Sequence, residues 1–184
     1  MSSGNSLSVD TTLQHSGANS LKAVQVSGTA GNANVSKTLS TGQSKLDVRA
    51  YVYLSNPVTW GAVQVLSLYS GSTFIGWVTY NADPSSPTLT VYNGASNHLY
   101  TCSSVPSLNG WHSLELQYTL STTTGGFSLW LDEVQVCQAS GIKTVRQNTV
   151  LANRVVVGVD SADKRVGLTV HVDDVVVSPN YIGP

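Results

Sequence analysis

The segment that decides the fold is Lys45-Leu46-Asp47-Val48-Arg49-Ala50-Tyr51-Val52-Tyr53-Leu54. Its even positions are all apolar, whereas its odd positions carry charged side chains and two tyrosines. A β-strand sends successive side chains to opposite faces of a sheet. The pattern therefore predicts a strand whose even residues lie in a core and whose odd residues face water.

Other segments bounded by clusters of Gly, Asn, Pro and Ser have strand-like residues, and we predict them to be strands as well. In chain order they are Leu21–Val26, Asn34–Leu39, Ala62–Tyr69, Phe74–Tyr80, Thr88–Tyr92, His98–Cys102, Trp111–Tyr118, Phe127–Leu131, Val134–Cys137, Arg154–Val159 and Gly167–Val177. Only Asp132 and Glu133 separate two of these segments, which indicates a two-residue hairpin. Many short strands with frequent turns are typical of a β-sandwich or a β-barrel, so the chain is predicted to be all-β.

The length and composition fit one globular domain. The chain has 184 residues, of which 41% are hydrophobic, and its mean hydropathy is +0.03. No internal repeat or change of composition divides it, so we assign residues 1–179 to a single domain and residues 180–184 to a C-terminal tail or the start of a linker. Charged residues make up only 10%, against roughly 25% in typical soluble domains. Polar uncharged surfaces of this kind are common on secreted β-proteins, so we predict an extracellular or cell-surface location.

The charge distribution excludes several classes of partner. The net charge is −1 and the pI is about 6.4. The only adjacent basic pair is Lys164-Arg165, so no basic patch for nucleic acid or an anionic membrane surface is expected. No apolar run approaches the roughly 20 residues that cross a bilayer, so no membrane insertion is expected. The first six residues lack the basic and apolar segments of a signal peptide.

Four segments resemble the concanavalin A-like lectin and glucanase superfamily, which includes laminin G-like domains and many carbohydrate-binding modules. They are Gly110-Trp111-His112-Ser113-Leu114-Glu115-Leu116-Gln117-Tyr118, Phe127-Ser128-Leu129-Trp130-Leu131-Asp132-Glu133-Val134-Gln135-Val136, Gly167-Leu168-Thr169-Val170-His171-Val172-Asp173-Asp174-Val175-Val176-Val177-Ser178 and His15-Ser16-Gly17-Ala18-Asn19-Ser20-Leu21-Lys22-Ala23-Val24. The resemblance implies a jelly-roll sandwich of two antiparallel sheets. Glu133 stands where the superfamily usually has Gly, which disfavours a turn of the primed type.

The acidic residues do not form a recognisable catalytic motif. Related glucanases carry two carboxylates on one strand in an E-x-D-x-x-E pattern, which is absent here. Asp132 and Glu133 are adjacent in a turn, and Asp173 and Asp174 are adjacent in a strand, where they would face opposite sides. The Q-[IV]-H and Y-x-K patterns of jelly-roll lyases are also absent. The sequence therefore predicts a non-catalytic domain, with a glycoside hydrolase or polysaccharide lyase as the less favoured alternative.

The Asp173-Asp174 pair has two interpretations. The resemblance suggests a structural calcium ion held by one of these aspartates, backbone carbonyls and an N-terminal acid, for which Asp10 is the candidate. Alternatively, the pair marks a β-bulge, because the apolar positions change phase between Val172 and Val175.

The two cysteines also have two interpretations. Cys102 and Cys137 both lie at the ends of predicted strands. They would form a disulfide that closes a loop of about 35 residues, or they are two separate buried thiols.

Six side chains on the predicted outer faces of strands are candidates for carbohydrate binding: Arg49, Tyr51, Tyr53, Trp77, Tyr92 and Trp130. Trp77 faces outward if Phe74, Val78 and Tyr80 form the core side of its strand. Flat rings can stack on the apolar faces of sugars, although such rings also pack with one flank in a core.

These residues predict a lectin-like, carbohydrate-binding domain whose partner is a glycan or polysaccharide. The alternative is a structural, assembly or adhesion domain of a cell, virion or filament surface, whose aromatic residues contact another protein or a second copy of the chain.

Overall fold

The computed structural model describes residues 4–29, 31–57, 60–163 and 167–183. Within these ranges the secondary structure consists of thirteen strands and no helix. The strands are β1 (Ser6–Asp10), β2 (Ser20–Val24), β3 (Ala33–Gln43), β4 (Lys45–Ser55), β5 (Ala62–Ser70), β6 (Thr73–Asn81), β7 (Thr88–Asn93), β8 (His98–Thr101), β9 (Trp111–Thr119), β10 (Gly125–Leu131), β11 (Val134–Ile142), β12 (Ala152–Ala162) and β13 (Thr169–Ser178). No helix in the described part of the chain is long and apolar enough to cross a membrane.

The strands form two antiparallel sheets. The seven-stranded sheet has the order β1-β2-β13-β4-β9-β10-β11, and the six-stranded sheet has the order β3-β12-β5-β6-β7-β8. The two sheets enclose one apolar core, as the predicted sandwich requires, and the all-β fold class is confirmed. Strand β1 was not predicted, because its sequence Ser-Leu-Ser-Val-Asp places little apolar surface in the core: Val9 is 68% exposed.

The alternation in β4 is the alternation that the sequence predicted. Leu46, Val48, Ala50, Val52 and Leu54 face inward, and each is at most 2% exposed. The neighbouring strand β9 continues this inner surface with residues 114, 116 and 118, which are fully buried. Burying a large aliphatic side chain contributes roughly 1.5–3 kcal/mol. The odd residues of β4 therefore lie on the outer face of the seven-stranded sheet.

The hairpin between β10 and β11 has the primed geometry despite Glu133. Asp132 has a φ of 49° and Glu133 a φ of 69°, so both turn residues are left-handed. Two positive φ values are the signature of a type I′ turn, whose twist matches the twist of the flanking strands. The expectation that Glu133 would disfavour this turn is therefore wrong. Asp132 accepts hydrogen bonds from the His112 ring (2.6 Å) and the Ser113 N–H (2.9 Å), which hold the turn in place.

A bulge interrupts β13 at the predicted position. Its pairing with β4 shifts register between Asp173 and Val176, and Asp174 has a φ of 47°. The extra residue rotates the strand, which accounts for the change in phase of its apolar residues.

A disulfide joins one edge of each sheet. Cys102 follows β8 at the edge of the six-stranded sheet, and Cys137 lies in β11 at the edge of the seven-stranded sheet. The Ser103 N–H donates to the Val136 carbonyl beside this bridge. The sandwich is therefore closed covalently along this side.

Candidate functional site

The six predicted carbohydrate-binding residues lie on two opposite surfaces. Arg49, Tyr51 and Tyr53 on β4 and Trp130 on β10 lie on the outer face of the seven-stranded sheet. Trp77 on β6 and Tyr92 on β7 lie on the outer face of the six-stranded sheet. The outer faces of a sandwich point in opposite directions. The six predicted residues therefore cannot all contribute to one platform.

The outer face of the six-stranded sheet carries a continuous row of aromatic rings, which we call the aromatic groove: Tyr69, Phe74, Trp77 and Tyr92. Trp77 and Tyr92 are cross-strand neighbours, and their rings stack with centroids 3.9 Å apart. Phe74 meets the edge of Trp77 at 5.0 Å and Tyr69 at 4.6 Å. Such cross-strand ring contacts stabilise the sheet and hold the rings in fixed positions.

Phe74 was predicted to face the core and instead lies in the groove, where it is 45% exposed. The pairing of β5 with β6 shifts register between Leu68 and Tyr69, and Ile75 takes the buried position next to Gly76. This irregularity turns Phe74 outward. Tyr69 faces outward because a second register shift, between Gln64 and Leu66, changes the phase of β5. The apolar run through β5 and β6 does not show where the strand changes phase, so the sequence pattern missed both rings.

Gly76 explains why β6 can place Trp77 on this surface. A Cβ atom at Gly76 would lie 2.8 Å from the ring of Tyr118 and 2.9 Å from the Tyr92 carbonyl oxygen. Only glycine fits between the core tyrosine and the neighbouring strand. The strand therefore lies directly against the core at this point, with Trp77 on the opposite side.

Two cavities of about 400 Å³ and about 450 Å³ both contact Trp77 and Tyr92 and extend in opposite directions along β6. The first cavity extends to Phe74 and to two loops, one carrying Asn97 and the other carrying Arg146. The second is bordered by the side chains of Gln64, Thr79, Asn81, Thr90 and Leu99, together with residues 161–163. Both volumes are within the range of small-ligand sites. The two ring residues therefore lie at the middle of a longer depression.

One end of the groove is held by a polar network. The Tyr69 hydroxyl donates to the Asp160 carboxylate at 2.6 Å, and Asn34 donates to the other oxygen of the same carboxylate at 2.9 Å. The Arg154 guanidinium lies over the Tyr69 ring at 4.1 Å. Burial and the Asp160 carboxylate raise the pKa of Tyr69, so its hydroxyl stays protonated and acts as a donor.

The outer face of the seven-stranded sheet carries a second set of rings, part of which is covered by the chain itself. The His15 ring stacks on Tyr51 with centroids 3.6 Å apart. Tyr53 lies between Trp111 and His171, at 5.7 Å and 5.9 Å. The pairing of β9 with β4 places Trp111 beside Tyr53 on the outer face.

Asp10 binds residues of the same sheet. It accepts hydrogen bonds from the Thr12 hydroxyl (2.6 Å) and N–H (2.8 Å) and from the His171 ring (3.0 Å), and Lys22 lies 3.5 Å away. The Thr12 contacts, followed by His171, hold the pKa of Asp10 well below its usual range.

The two aspartates of the bulge bind the loop that follows β1. Asp173 accepts the N–H groups of His15 and Ser16, and Asp174 accepts the His15 ring at 2.7 Å and the Ser16 hydroxyl at 2.8 Å. These hydrogen bonds, that of His15 first, lower the pKa of Asp174.

The carboxylates of the predicted calcium site are therefore acceptors for the chain's own donors. In the described ranges, no three His, Cys, Asp or Glu side chains are arranged to hold a metal ion. Calcium prefers 6–8 oxygen ligands that converge on one point. The contacts of Asp10, Asp173 and Asp174 do not form such a set, and the calcium site stays a prediction that their geometry does not favour.

Residues 181–183, which we call the strap, cross the outer face of the seven-stranded sheet over β9 and β10. The Glu115 carboxylate accepts the N–H groups of Ile182 (2.7 Å) and Gly183 (3.2 Å). Arg49, which pairs with Glu115 across the strands, donates to the Gly183 carbonyl. The Tyr181 ring packs on Trp130 with centroids 4.9 Å apart. Two of the predicted binding residues are thus already in contact with a segment of the chain.

Two carboxyl groups on this face are buried, and one of them, Glu115, lies under the strap. Glu115 is 4% exposed and Asp47 is 0% exposed. Burial raises the pKa of Glu115, and the N–H groups of residues 182 and 183 oppose this shift. Burial also raises the pKa of Asp47, whose one hydrogen bond of 2.9 Å comes from Gln117. The other oxygen of Asp47 has no partner among the described residues.

Comparison of the sequence with models of known protein families and with curated proteins found no match. Solved structures do match the fold. One is "Cellulose induced protein, Cip1", with a TM-score of 0.68 and 18% identity over 98% of this chain and 88% of that chain.

Two other solved structures share the fold at lower scores. The endo-β-1,4-glucuronan lyase from the fungus Trichoderma reesei has a TM-score of 0.62 and 16% identity over 95% of this chain and 87% of that chain. A tetrameric galectin from the ball sponge Cinachyrella sp. has a TM-score of 0.51 and 10% identity over 79% of this chain and 99% of that chain. At these identities the likeness shows a jelly-roll sandwich fold and no activity, because one fold supports many activities.

Proposed function

We propose that this chain is a non-catalytic carbohydrate-binding domain that holds an oligosaccharide along the aromatic groove. The observation that carries this proposal is the position of Trp77 and Tyr92 between two cavities on the outer face of the six-stranded sheet. An extended chain of sugar units can pass over the ring pair and place a unit in each cavity.

The chemistry of the groove suits a neutral sugar. Ring edges and flanks at Phe74, Trp77 and Tyr92 offer apolar surface for the C–H faces of a pyranose. Amide and hydroxyl groups border this surface, with Gln64 and Thr79 in one cavity and Asn97 in the other. These groups both donate and accept hydrogen bonds, as sugar hydroxyls do. The Tyr92 hydroxyl already donates to Asn97 at 2.8 Å, which orients that amide.

The named structural neighbours support a carbohydrate ligand and leave the choice between binding and cleavage open. These neighbours include a galectin, a glucuronan lyase and a cellulose induced protein. The groove itself disfavours hydrolysis. Among the described residues that line its two cavities, the charged side chains are Arg146 and Asp163, one in each. They lie in different cavities, whereas hydrolysis of a glycosidic bond uses two carboxylates facing each other across the bond.

Substitution of the central rings tests the proposal. A glycan array with the intact chain first identifies a ligand, and titration calorimetry then measures its affinity for Trp77→Ala and Tyr92→Ala. We expect each change to weaken binding by about 10-fold or more, as is common for a buried aromatic contact residue. Trp60→Ala is the matched control, because Trp60 is 54% exposed and lies outside the groove residues.

Three results would contradict the proposal. One is the absence of any array signal for the intact chain, and another is unchanged affinity in both ring variants. The third is the release of unsaturated products from a polyuronate, which would show a lyase. In the first case, light scattering over a concentration series would reveal whether the rings serve self-association instead.

A further inference from the structure

We propose that the surface under the strap is a second saccharide-binding site, separate from the aromatic groove, and that the strap occupies it as an intramolecular ligand. The site consists of Trp130, Glu115 and Arg49 on the outer face of the seven-stranded sheet. The inference does not depend on the aromatic groove, which lies on the opposite side of the sandwich.

The contacts of the strap show what the site recognises. Glu115 accepts two neighbouring donors, the N–H groups of residues 182 and 183. Arg49 donates to an acceptor oxygen next to them, and Trp130 offers its ring to Tyr181. A sugar ring presents equivalent groups in a similar arrangement. Two adjacent hydroxyls can donate as the two N–H groups do, a neighbouring oxygen can accept as the carbonyl does, and a flat C–H face can pack on Trp130. Charged groups make the stronger hydrogen bonds in such sites.

The site also contains polar groups that the strap leaves unused. Asp47 lies on the same face as Arg49 and is fully buried, and one of its carboxylate oxygens has no partner among the described residues. A buried carboxylate is unfavourable unless it is paired, so a surface formed for packing alone would not retain two of them.

The strap can leave without disrupting the core. Tyr181 is 46% exposed, and none of the residues of the strap belongs to the apolar core. Gly183 has a φ of 74°, a conformation that glycine adopts without strain. The strap and a saccharide therefore compete for the same groups. The apparent affinity of the site equals its intrinsic affinity multiplied by the fraction of molecules in which the strap is displaced.

A pair of variants separates the strap from the rest of the fold. Ile182→Pro removes the N–H that donates to Glu115, whereas Ile182→Ala keeps it and removes a similar amount of side chain. Both are made together with Trp77→Ala, so that the aromatic groove does not contribute to binding. The probes are cellohexaose, chitohexaose and an alginate hexasaccharide, each titrated by calorimetry.

We expect the Ile182→Pro variant to bind at least one probe about 10-fold or more tightly than the Ile182→Ala variant does. Addition of Trp130→Ala should abolish that gain. In the unmodified chain, the same probe should reduce the hydrogen-exchange protection of the Ile182 and Gly183 amides, a readout that does not require any variant to fold.

Equal affinity of the two residue-182 variants for all three probes would overturn the proposal, as would a gain that survives Trp130→Ala. A synthetic peptide Asn-Tyr-Ile-Gly provides the remaining comparison. If it binds the Ile182→Pro variant and no probe does, the site recognises peptide and the saccharide assignment is wrong. These outcomes leave the proposal for the aromatic groove untouched, because that groove is inactivated in every variant used here.

Discussion

Some charged carboxyl groups in this chain stabilise the folded state and others destabilise it, depending on the partners around them. Asp10 accepts three hydrogen bonds and lies near a lysine, so its charged form is favoured in the folded state. Asp47 accepts one hydrogen bond and is fully buried, so its charged form is disfavoured. Both are aspartates on the outer face of the same sheet, and only their neighbours distinguish them.

At the residue scale, Asp47→Asn should stabilise the protein at pH 7. The asparagine oxygen can still accept the Gln117 hydrogen bond, and the substitution removes the buried charge. The new amide leaves two N–H donors without a partner, a smaller cost than that of the charge. We expect a gain of about 1 kcal/mol, measured as an increase in Tm of roughly 2–4 °C.

The effect should depend on pH. Because the pKa of Asp47 is raised in the folded state, the native aspartate becomes less unfavourable as the pH falls through that pKa. The advantage of asparagine should therefore disappear near pH 4 and below. A Tm that is lower than that of the native protein at pH 7 would show that the charge has a partner that stabilises it.

At the scale of elements, the edges of the two sheets are joined by the bond between Cys102 and Cys137. Edge strands β8 and β11 have neighbours on one side only, and the bridge holds their exposed edges together. The phenolic ring of Tyr100 packs against Phe127 across the same boundary at 4.9 Å. The disulfide and the contact between Tyr100 and Phe127 thus hold the two sheets together along this edge.

The double variant Cys102→Ala with Cys137→Ala should be less stable by about 3–4 kcal/mol, because the bridge closes a loop with a sequence separation of 35. Guanidinium unfolding of the variant and of the native protein, without reductant, measures the difference. Glycan binding at the aromatic groove serves as the control for an intact fold. A loss below about 1 kcal/mol would mean that the unfolded chain gains little entropy from removal of the bridge.

The element scale also shows why half of the aromatic groove escaped the sequence pattern. The alternation in β4 is regular, so its inner and outer residues could be assigned from the sequence. In β6 the register shift near Ile75 exchanges the two faces, and both Phe74 and Ile75 are apolar. A bulge between two apolar residues leaves no mark on a period-two pattern, because either residue would be acceptable in a core.

At the scale of the whole molecule, residues near the N-terminus are held to β13 by pairs that are far apart in sequence. His171 donates to Asp10, a separation of 161 residues, and His15 donates to Asp174, a separation of 159 residues. Strands β1 and β2 complete the seven-stranded sheet only when the last strand is in place. Strand β1, which the sequence pattern did not predict, therefore depends on the tertiary fold.

Asp10→Asn should destabilise the protein at neutral pH, in contrast to the same change at Asp47. The pKa of Asp10 is lowered in the folded state, so its stabilising effect is complete above the ordinary aspartate pKa of about 3.9 and is lost as the pH falls through the lower folded value. Thermal unfolding of both proteins from pH 7 to pH 2 should show the difference between them shrinking below about pH 4. If the difference in Tm between the two proteins stayed constant with pH, the destabilisation would come from the changed shape of the side chain and not from the loss of its charge.

Strict alternation of apolar and polar residues over short segments, separated by turn residues, determined by itself that this chain is all-β, a sandwich or a barrel, because a strand can bury only every second side chain. The choice of a two-layer sandwich came from the resemblance of four segments to a known superfamily. The alternation also identified Tyr92, Trp130 and Arg49 as outward-facing, and it placed Trp77 outward only on the condition that Phe74 lay in the core, which the structure contradicts. The tertiary structure alone decided which of these residues share a surface: strand order placed Trp77 and Tyr92 on one sheet and Trp130 and Arg49 on the other. It also laid residues 181–183 across the second pair, because contacts between distant segments depend on packing that no local pattern contains.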